Sequence, residues 1–357
     1  MSSAEVYGSH SVDLVDPDPD DDADLLIDGA EGDPIRRFSV DAALAGERLD
    51  KVLVQWMPDI SRTRLKQWVE DGAVRVNGAV VRPRHELATG DLVELEPQPA
   101  PDAKAYEPEP MPLAVLFEDA DMLVVDKPPG LVVHPAAGHW SGTLLNGLLA
   151  YAPELGDVPR AGIVHRLDAG TSGLIVVART LAAQADLVRQ LQARTVRREY
   201  WAIVLGEPRR HGTVDAPIGR DPRNPLRFKV SHASSARSAR TQYWNLASVR
   251  QGNATLSWLA CRLDTGRTHQ IRVHLEHLGH PLIGDPVYRR RLPSPDPTIA
   301  WRAFGRQALH ACRLGLVHPR TRLPMQWFRA PPSDLAELMR SLEFGPTDRP
   351  AALPGES

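Results

Sequence analysis

The sequence predicts an α+β protein with a mixed or antiparallel sheet, preceded by a small module of two helices and a hairpin. Three observations carry this. In the second half of the chain apolar strand-like segments outnumber helical patterns and do not alternate strictly with them, which argues against a doubly wound parallel sheet. Six prolines lie between positions 97 and 112, among Glu, Ala and Gln, and mark an extended spacer that divides the chain. Ahead of that spacer, short helical patterns with their own start and stop signals lead into an Asn-Gly turn.

Taken in order, residues 1–35 contain eleven of the 45 Asp and Glu and no Lys or Arg, with Asp16-Pro17-Asp18-Pro19 running into Asp20-Asp21-Asp22. Too little apolar surface is available there to support a core, so an acidic, disordered, solubilising tail is expected. The rest of the chain carries 34 acids against 42 bases, a formal +8 beneath the net −3 of the whole. A polyanionic partner is consistent with that excess. The module spans 36–96. One helix is expected from Arg48 to Trp56 and a second from Ser61, its N-cap, to Gly72, its stop, with Leu65, Trp68 and Val69 on the buried face. Arg62 and Lys66 share one edge of that helix, with Arg64 close by. Val74–Val76 and Ala79–Val81 flank Asn77-Gly78 as a hairpin, and Leu92–Leu95 adds a strand.

Beyond the 97–112 linker, strands are expected at Leu113–Phe117, Met122–Val125, Leu174–Ala178, Tyr200–Leu205, Thr241–Trp244 and Leu256–Leu263. Helices are expected at Leu144–Ala152, Ala182–Ala193 and His269–Leu278, the last stopped by Gly279. This domain runs over 113–332, and residues 333–357 form a C-terminal helix, Ser333–Leu342, and a tail. At 357 residues with 42% hydrophobic and 24% charged side chains, the composition is that of a soluble protein. No apolar run reaches the roughly 20 residues of a membrane span, and the acidic start does not fit a signal peptide. A cytoplasmic protein is expected. Cys261 and Cys312 suit neither a disulfide framework nor a zinc knuckle and read as buried small hydrophobes.

Four segments carry candidate chemistry. They are Asp126-Lys127-Pro128-Pro129-Gly130, a strand running into a rigid turn; Gly162 to Gly173, with Arg166 and Asp168; Arg198-Glu199-Tyr200; and Thr265-Gly266-Arg267-Thr268-His269-Gln270-Ile271-Arg272-Val273-His274, continuing to Gly284-Asp285. A lone Asp in a loop is commonly a turn former. The histidines 269, 274, 277 and 280 come with no H-E-x-x-H and no cysteine pair, so no metal site is expected. Gly170-Thr171-Ser172-Gly173 lacks the G-x-S-x-G elbow of a serine hydrolase.

The ordered motifs D-K-P-x-G, H-R-L-D-x-x-T-S-G, R-E-Y and T-G-R-T-H-Q-I-R-x-H resemble the RluA family of RNA pseudouridine synthases, over roughly residues 45–332. R-L-D-K-x-L, S-R-x-x-x-K-x-x-x-x-G and V-x-V-N-G resemble the small αL-type RNA-binding module. The run 142–146 and the segment Arg306–Ala311 look most like the RluD-type branch, which modifies large-subunit ribosomal RNA. The resemblance implies a pseudouridine synthase catalytic domain that needs no cofactor and no metal. It implies Asp168 as the catalytic carboxylate, Arg272 as its ion-pair partner, Tyr200 as the residue stacked on the target base, and Arg166 as the residue entering the RNA stack when the uridine is flipped out. Arg62, Arg64 and Lys66 inherit phosphate contacts. Arg267 and His269 read as anchors, and Lys127 as a support for the turn. The partner implied is ribosomal RNA, in an assembling large subunit, bound by a monomer with no membrane association. Transfer RNA as the target, or a non-catalytic assembly factor on the same fold, are the competing readings.

Overall fold

The structure, a computed structural model, describes residues 35–58, 60, 62–97, 105–136, 139–288 and 300–345. The acidic segment 1–34, the expected N-cap Ser61, residues 98–104 of the proline-rich stretch and the end of the tail lie outside them. The described residues fall into two compact units, 35–97 and 105–345.

The smaller unit holds β1 (Arg36–Ser39), α1 (Leu49–Trp56), α2 (Arg62–Glu70), β2 (Val74–Val76), β3 (Ala79–Val80) and β4 (Leu92–Leu95). Its sheet runs β1-β4-β2-β3, antiparallel throughout. Asn77 and Gly78 both take positive φ, 51° and 78°, the backbone that an Asn-Gly hairpin turn requires. Leu49, Leu53, Leu65 and Val69 are fully buried against Val74, Val93 and Leu95, so the 3.6-residue period of the helices and the alternation of the strands meet in one core. The sequence did not anticipate β1, whose residues adjoin the acidic segment.

The larger unit contains β5 (Ala114–Glu118), β6 (Met122–Lys127), α3 (Leu144–Tyr151), β7 (Ser172–Ala178), α4 (Leu181–Gln192), β8 (Arg197–Leu205), β9 (His211–Asp215), β10 (Ile218–Asp221) and β11 (Asn224–Val230). It continues through β12 (Arg240–Gln251), β13 (Ala254–Leu263), α5 (Gln270–His277), α6 (Ala300–Ala303), β14 (Leu309–Val317), β15 (Pro324–Phe328) and α7 (Ser333–Ser341). Nine strands of the described residues make one mixed sheet in the order β5-β6-β7-β14-β8-β13-β12-β9, with β15 beside β14, and β10 and β11 form a separate two-stranded arm. Among the described residues the one parallel pairing is short, His310 and Ala311 of β14 against Ser172 and Gly173 of β7. The α+β class with a mixed sheet is therefore correct.

Both faces of the sheet are covered. Along β8, Tyr200, Ala202 and Val204 enter a core with α3 and α5, while Trp201 and Ile203 enter a second core with Trp258 and α7. Helix α7 lays Leu335, Leu338 and Met339 into that second core. Burial on both sides accounts for the continuous apolar runs of β6 and β7, which lack a polar face. Gly173 is required where β7 meets β14: its φ is +112°, and a Cβ there would stand 2.2 Å from the Ala311 carbonyl oxygen.

Candidate active site

The strands bring three distant segments to one cavity of about 560 Å³, whose lining includes Arg166, Asp168, Tyr200, His269 and Arg272. Asp168 lies in the loop entering β7. Its own carbonyl accepts from Thr171 N at 2.9 Å, which closes a tight turn and leaves the carboxylate facing the cavity. Arg272, on the first turn of α5, donates from Nη1 to Asp168 Oδ2 at 3.0 Å across 104 residues of chain. Tyr200 comes from β8, where it pairs with Cys261 and Ala311 on its two sides. Sequence reasoning placed Asp168, Tyr200, Arg272 and Arg166 together, and they do share this cavity.

The electrostatics favour an ionised carboxylate. Burial works against charge on Asp168, but His269, Arg272 and Arg166, with the Arg272 hydrogen bond, outweigh it and hold the pKa below the ordinary carboxylate value of 3.8. His269 is itself kept neutral by burial down to about 4, so at neutral pH the two guanidiniums supply the positive charge. Burial pushes Tyr200 up to about 12, with Arg198 opposing, so it is a neutral phenol. Burial draws Arg166 down to about 10, which leaves it charged.

The pattern of the RNA pseudouridylate synthase family matches residues 121–277, and that of the S4 domain matches residues 47–93. Similar proteins include ribosomal large subunit pseudouridine synthase D of Nitrosomonas europaea, 46% identical, with 84% of this chain and 85% of the relative aligned. The proteins of that name from Yersinia pestis (46% identical, 84% of this chain and 91% of the relative) and from Escherichia coli (44%, 82% and 90%) are alike in extent. The chain belongs to the RNA pseudouridylate synthase family.

In this synthase the loop bearing Asp168 is tied down from several directions. Lys127, fully buried, donates from Nζ to the carbonyls of Pro128, Leu131 and Ala169, and Gly130 N also donates to Ala169 O at 2.8 Å. Lys127 therefore supports the turn, as its place at the mouth of Pro128-Pro129-Gly130 suggested, and joins that turn to the Asp168 loop. Arg306 Nη1 donates to Gly170 O at 2.9 Å. His165 Nε2 accepts from Val176 N at 3.1 Å, and burial, aided by Arg198, lowers its pKa to about 3. Because an amide can only donate, that nitrogen bears a lone pair, and the neutral ring pins the loop to β7.

The remaining candidates fall elsewhere. Ser172 Oγ meets His310 Nδ1 at 3.0 Å, but both side chains are buried between β7 and β14 and neither lines the cavity; the pair ties strands together. The ring nitrogens of His269, His274 and His280 go to separate partners, Tyr288 Oη, Thr241 Oγ1 with the Ala216 carbonyl, and the Leu205 carbonyl. His269 begins α5 with a left-handed backbone, φ 55°, and so anchors the helix end as well as lining the cavity. Cys261 and Cys312 are both buried, and burial raises both thiol pKa values. In the S4 unit, Arg62 and Lys66 keep largely exposed side chains, bonded to Asp50 and Glu70 respectively, and Arg64 lies over the Trp68 ring at 5.1 Å. Among the described residues no helix is long and apolar enough to cross a membrane. Sequence reasoning gave no role to Lys127 beyond the turn, to Arg306 or to Asp285. The one available signal was their place inside or beside the family motifs.

Proposed function

We propose that this synthase converts uridines of large-subunit ribosomal RNA to pseudouridine, with Asp168 as the catalytic carboxylate. The reading is carried by one observation: an acid kept ionised by Arg272 at 3.0 Å, in a cavity that also holds a neutral tyrosine and a charged arginine. The reaction breaks the N1–C1′ bond of uridine, turns the freed uracil and joins C5 to C1′, with the C5 hydrogen leaving as a proton and N1 taking one up. No redox change occurs. A carboxylate beside the sugar serves either as nucleophile or as the base removing a ribose proton, and both roles need it charged.

Tyr200 stacks on the uracil and, as a neutral phenol with its pKa near 12, is able to relay a proton late in the reaction, taking one up on its oxygen as it passes its own on. Arg166 fills the space vacated by the flipped nucleotide, a step that costs a few kcal/mol of unstacking. Arg62, Arg64 and Lys66 grip the phosphate backbone through the S4 helix. The relatives' names support the large-subunit target. The protein acts as a monomer in the cytoplasm, on the assembling subunit, and works without metal or cofactor. The proline-rich stretch 97–112 links the RNA-binding module of 36–96 to the catalytic domain, and its later part is bonded to α3, whose Asn146 Nδ2 donates to the carbonyls of Ala105 and Glu107.

Asp168→Asn tests the reading. It preserves size and removes the charge, so single-turnover pseudouridine formation on transcribed large-subunit RNA falls to background while RNA affinity stays within a few-fold. Turnover retained in that variant rules out Asp168 as the catalytic group. Mapping pseudouridines in ribosomal and transfer RNA with and without the gene identifies the target.

A further inference from the structure

The turn at Gly284–Tyr288, which follows α5, holds Arg272 from two sides. The Asp285 side chain is completely buried. Arg272 donates to it twice, from Nε to Oδ2 at 2.8 Å and from Nη2 to Oδ1 at 3.0 Å, while Nη1 meets Asp168. Oδ1 also accepts from the amides of Val287 and Tyr288, each at 2.9 Å, so the carboxylate plane is fixed by its own turn. A planar guanidinium held bidentately by a fixed carboxylate has one orientation left.

Tyr288 supports the same group laterally. Its ring centroid is 5.0 Å from Arg272 Cζ, and its hydroxyl accepts from Phe228 N of β11 at 2.9 Å and lies 3.0 Å from His269 Nδ1. Since the Phe228 amide uses a lone pair on the hydroxyl, the hydroxyl hydrogen is available to His269 Nδ1. One tyrosine thus touches the arm, the helix start and the guanidinium. A buried ion pair is a weak source of stability compared with apolar packing, so this investment in polar contacts is better explained by orientation than by folding.

We propose that Asp285 is a positioning residue for the isomerisation, fixing the Arg272 guanidinium in the orientation that presents Nη1 to Asp168, with Tyr288 seating it from the side. The inference rests on the roles given above to Asp168 and Arg272. Without this bracket the arginine still carries its charge but is free to swing, and an error of about 1 Å at a reacting group is enough to cost roughly 100-fold in rate.

The test compares Asp285→Asn, Asp285→Glu and Asp168→Asn with the full-length wild type. Three quantities are read on transcribed large-subunit RNA: single-turnover rate, RNA Kd and melting temperature. Asn at 285 keeps an oxygen for the two turn amides and for Nη2, but sets its own N–H groups against Arg272 Nε–H. The expected result is a folded protein with RNA affinity within twofold of wild type and a rate roughly 10- to 100-fold lower. A lower melting temperature with an unchanged rate for the folded protein overturns the proposal. Should Asp285→Asn fail to fold, Asp285→Glu decides, since it keeps the charge and both oxygens but displaces them by one methylene: a rate at least about fivefold slower at unchanged affinity supports the bracket, and a wild-type rate refutes it. Activity retained by Asp168→Asn removes the underlying site, whereas an inactive Asp168→Asn beside a fully active Asp285→Asn removes only the positioning role.

Discussion

Replacing Arg272 with Met gives the most direct test of how Asp168 is kept charged. Met fills much of the same volume but leaves two carboxylates, Asp168 and Asp285, without the guanidinium between them. The Asp285 side chain is completely buried and that of Asp168 is 16% exposed. Removing one partner of such a buried arrangement costs about 3–5 kcal/mol. For Asp168 the balance among burial, His269, Arg272 and Arg166 then reverses. Arginine beside a carboxylate is typically worth about 1–3 pKa units, and its removal lets burial dominate. The sign follows from linkage. In the wild type a depressed pKa stabilises the fold above the unfolded value, and that contribution disappears only as pH falls through the folded value, below 3.8. In Arg272→Met the pKa lies above the unfolded value, so the charged form weakens the fold at neutral pH and the protein is most stable under mild acid. The acid limb of single-turnover rate against pH, measured from about pH 4 to 9, therefore moves up by about one to three units from its wild-type place below 3.8, so that the variant's rate still climbs near pH 5 where the wild type is flat. Arg272→Lys, which keeps charge but loses the fork, falls between. A Met variant whose acid limb overlays that of the wild type refutes the claim that Arg272 sets the charge of Asp168.

Two further outcomes concern the scaffold and the RNA. Gly173→Ala forces a Cβ to within 2.2 Å of the Ala311 carbonyl at φ +112°, so it should destabilise by about 3 kcal/mol or more and lower the melting temperature by roughly 10 °C, or prevent folding. A melt within about 2 °C of wild type would show that the β7–β14 junction yields easily. Arg62→Ala with Lys66→Ala should weaken RNA binding uniformly across sequences and reduce the slope of log affinity against log salt by up to about two, roughly one for each phosphate no longer neutralised. An unchanged slope means that this helix edge does not touch phosphate in the complex.

Much of the fold was legible because local signals agreed with the tertiary result. Gly72 and Gly279 stop their helices with φ of 78° and 84°, and Asn77-Gly78 makes its hairpin. Strand β14, central to the sheet, was missed because polar His310 and Arg313 interrupt its apolar residues without alternating with them. His310 and Arg313 lie in it fully or almost fully buried, and such positions look exposed until their partners are known: Ser172 and the Arg329 carbonyl for His310, and Glu199 3.8 Å from Arg313. The arm of β10 and β11 was missed for the related reason that its core depends on residues from afar, with Phe228 packed beside Val273 and Tyr288.

The site shows the same division more sharply. Asp168 and Arg272 are 104 residues apart, and no periodicity links them; family resemblance paired them before geometry did. For Asp168 and Asp285 the structural and chemical readings of a loop aspartate proved to be compatible. The backbone carbonyl of Asp168 closes its turn, which frees the side chain for Arg272. At Asp285 the side chain does both jobs at once, accepting two turn amides and two guanidinium N–H groups. A sequence shows that an aspartate sits in a turn. Whether its carboxylate is consumed by that turn, shared, or left free depends on which distant cation the fold delivers, and here one arginine is delivered to both.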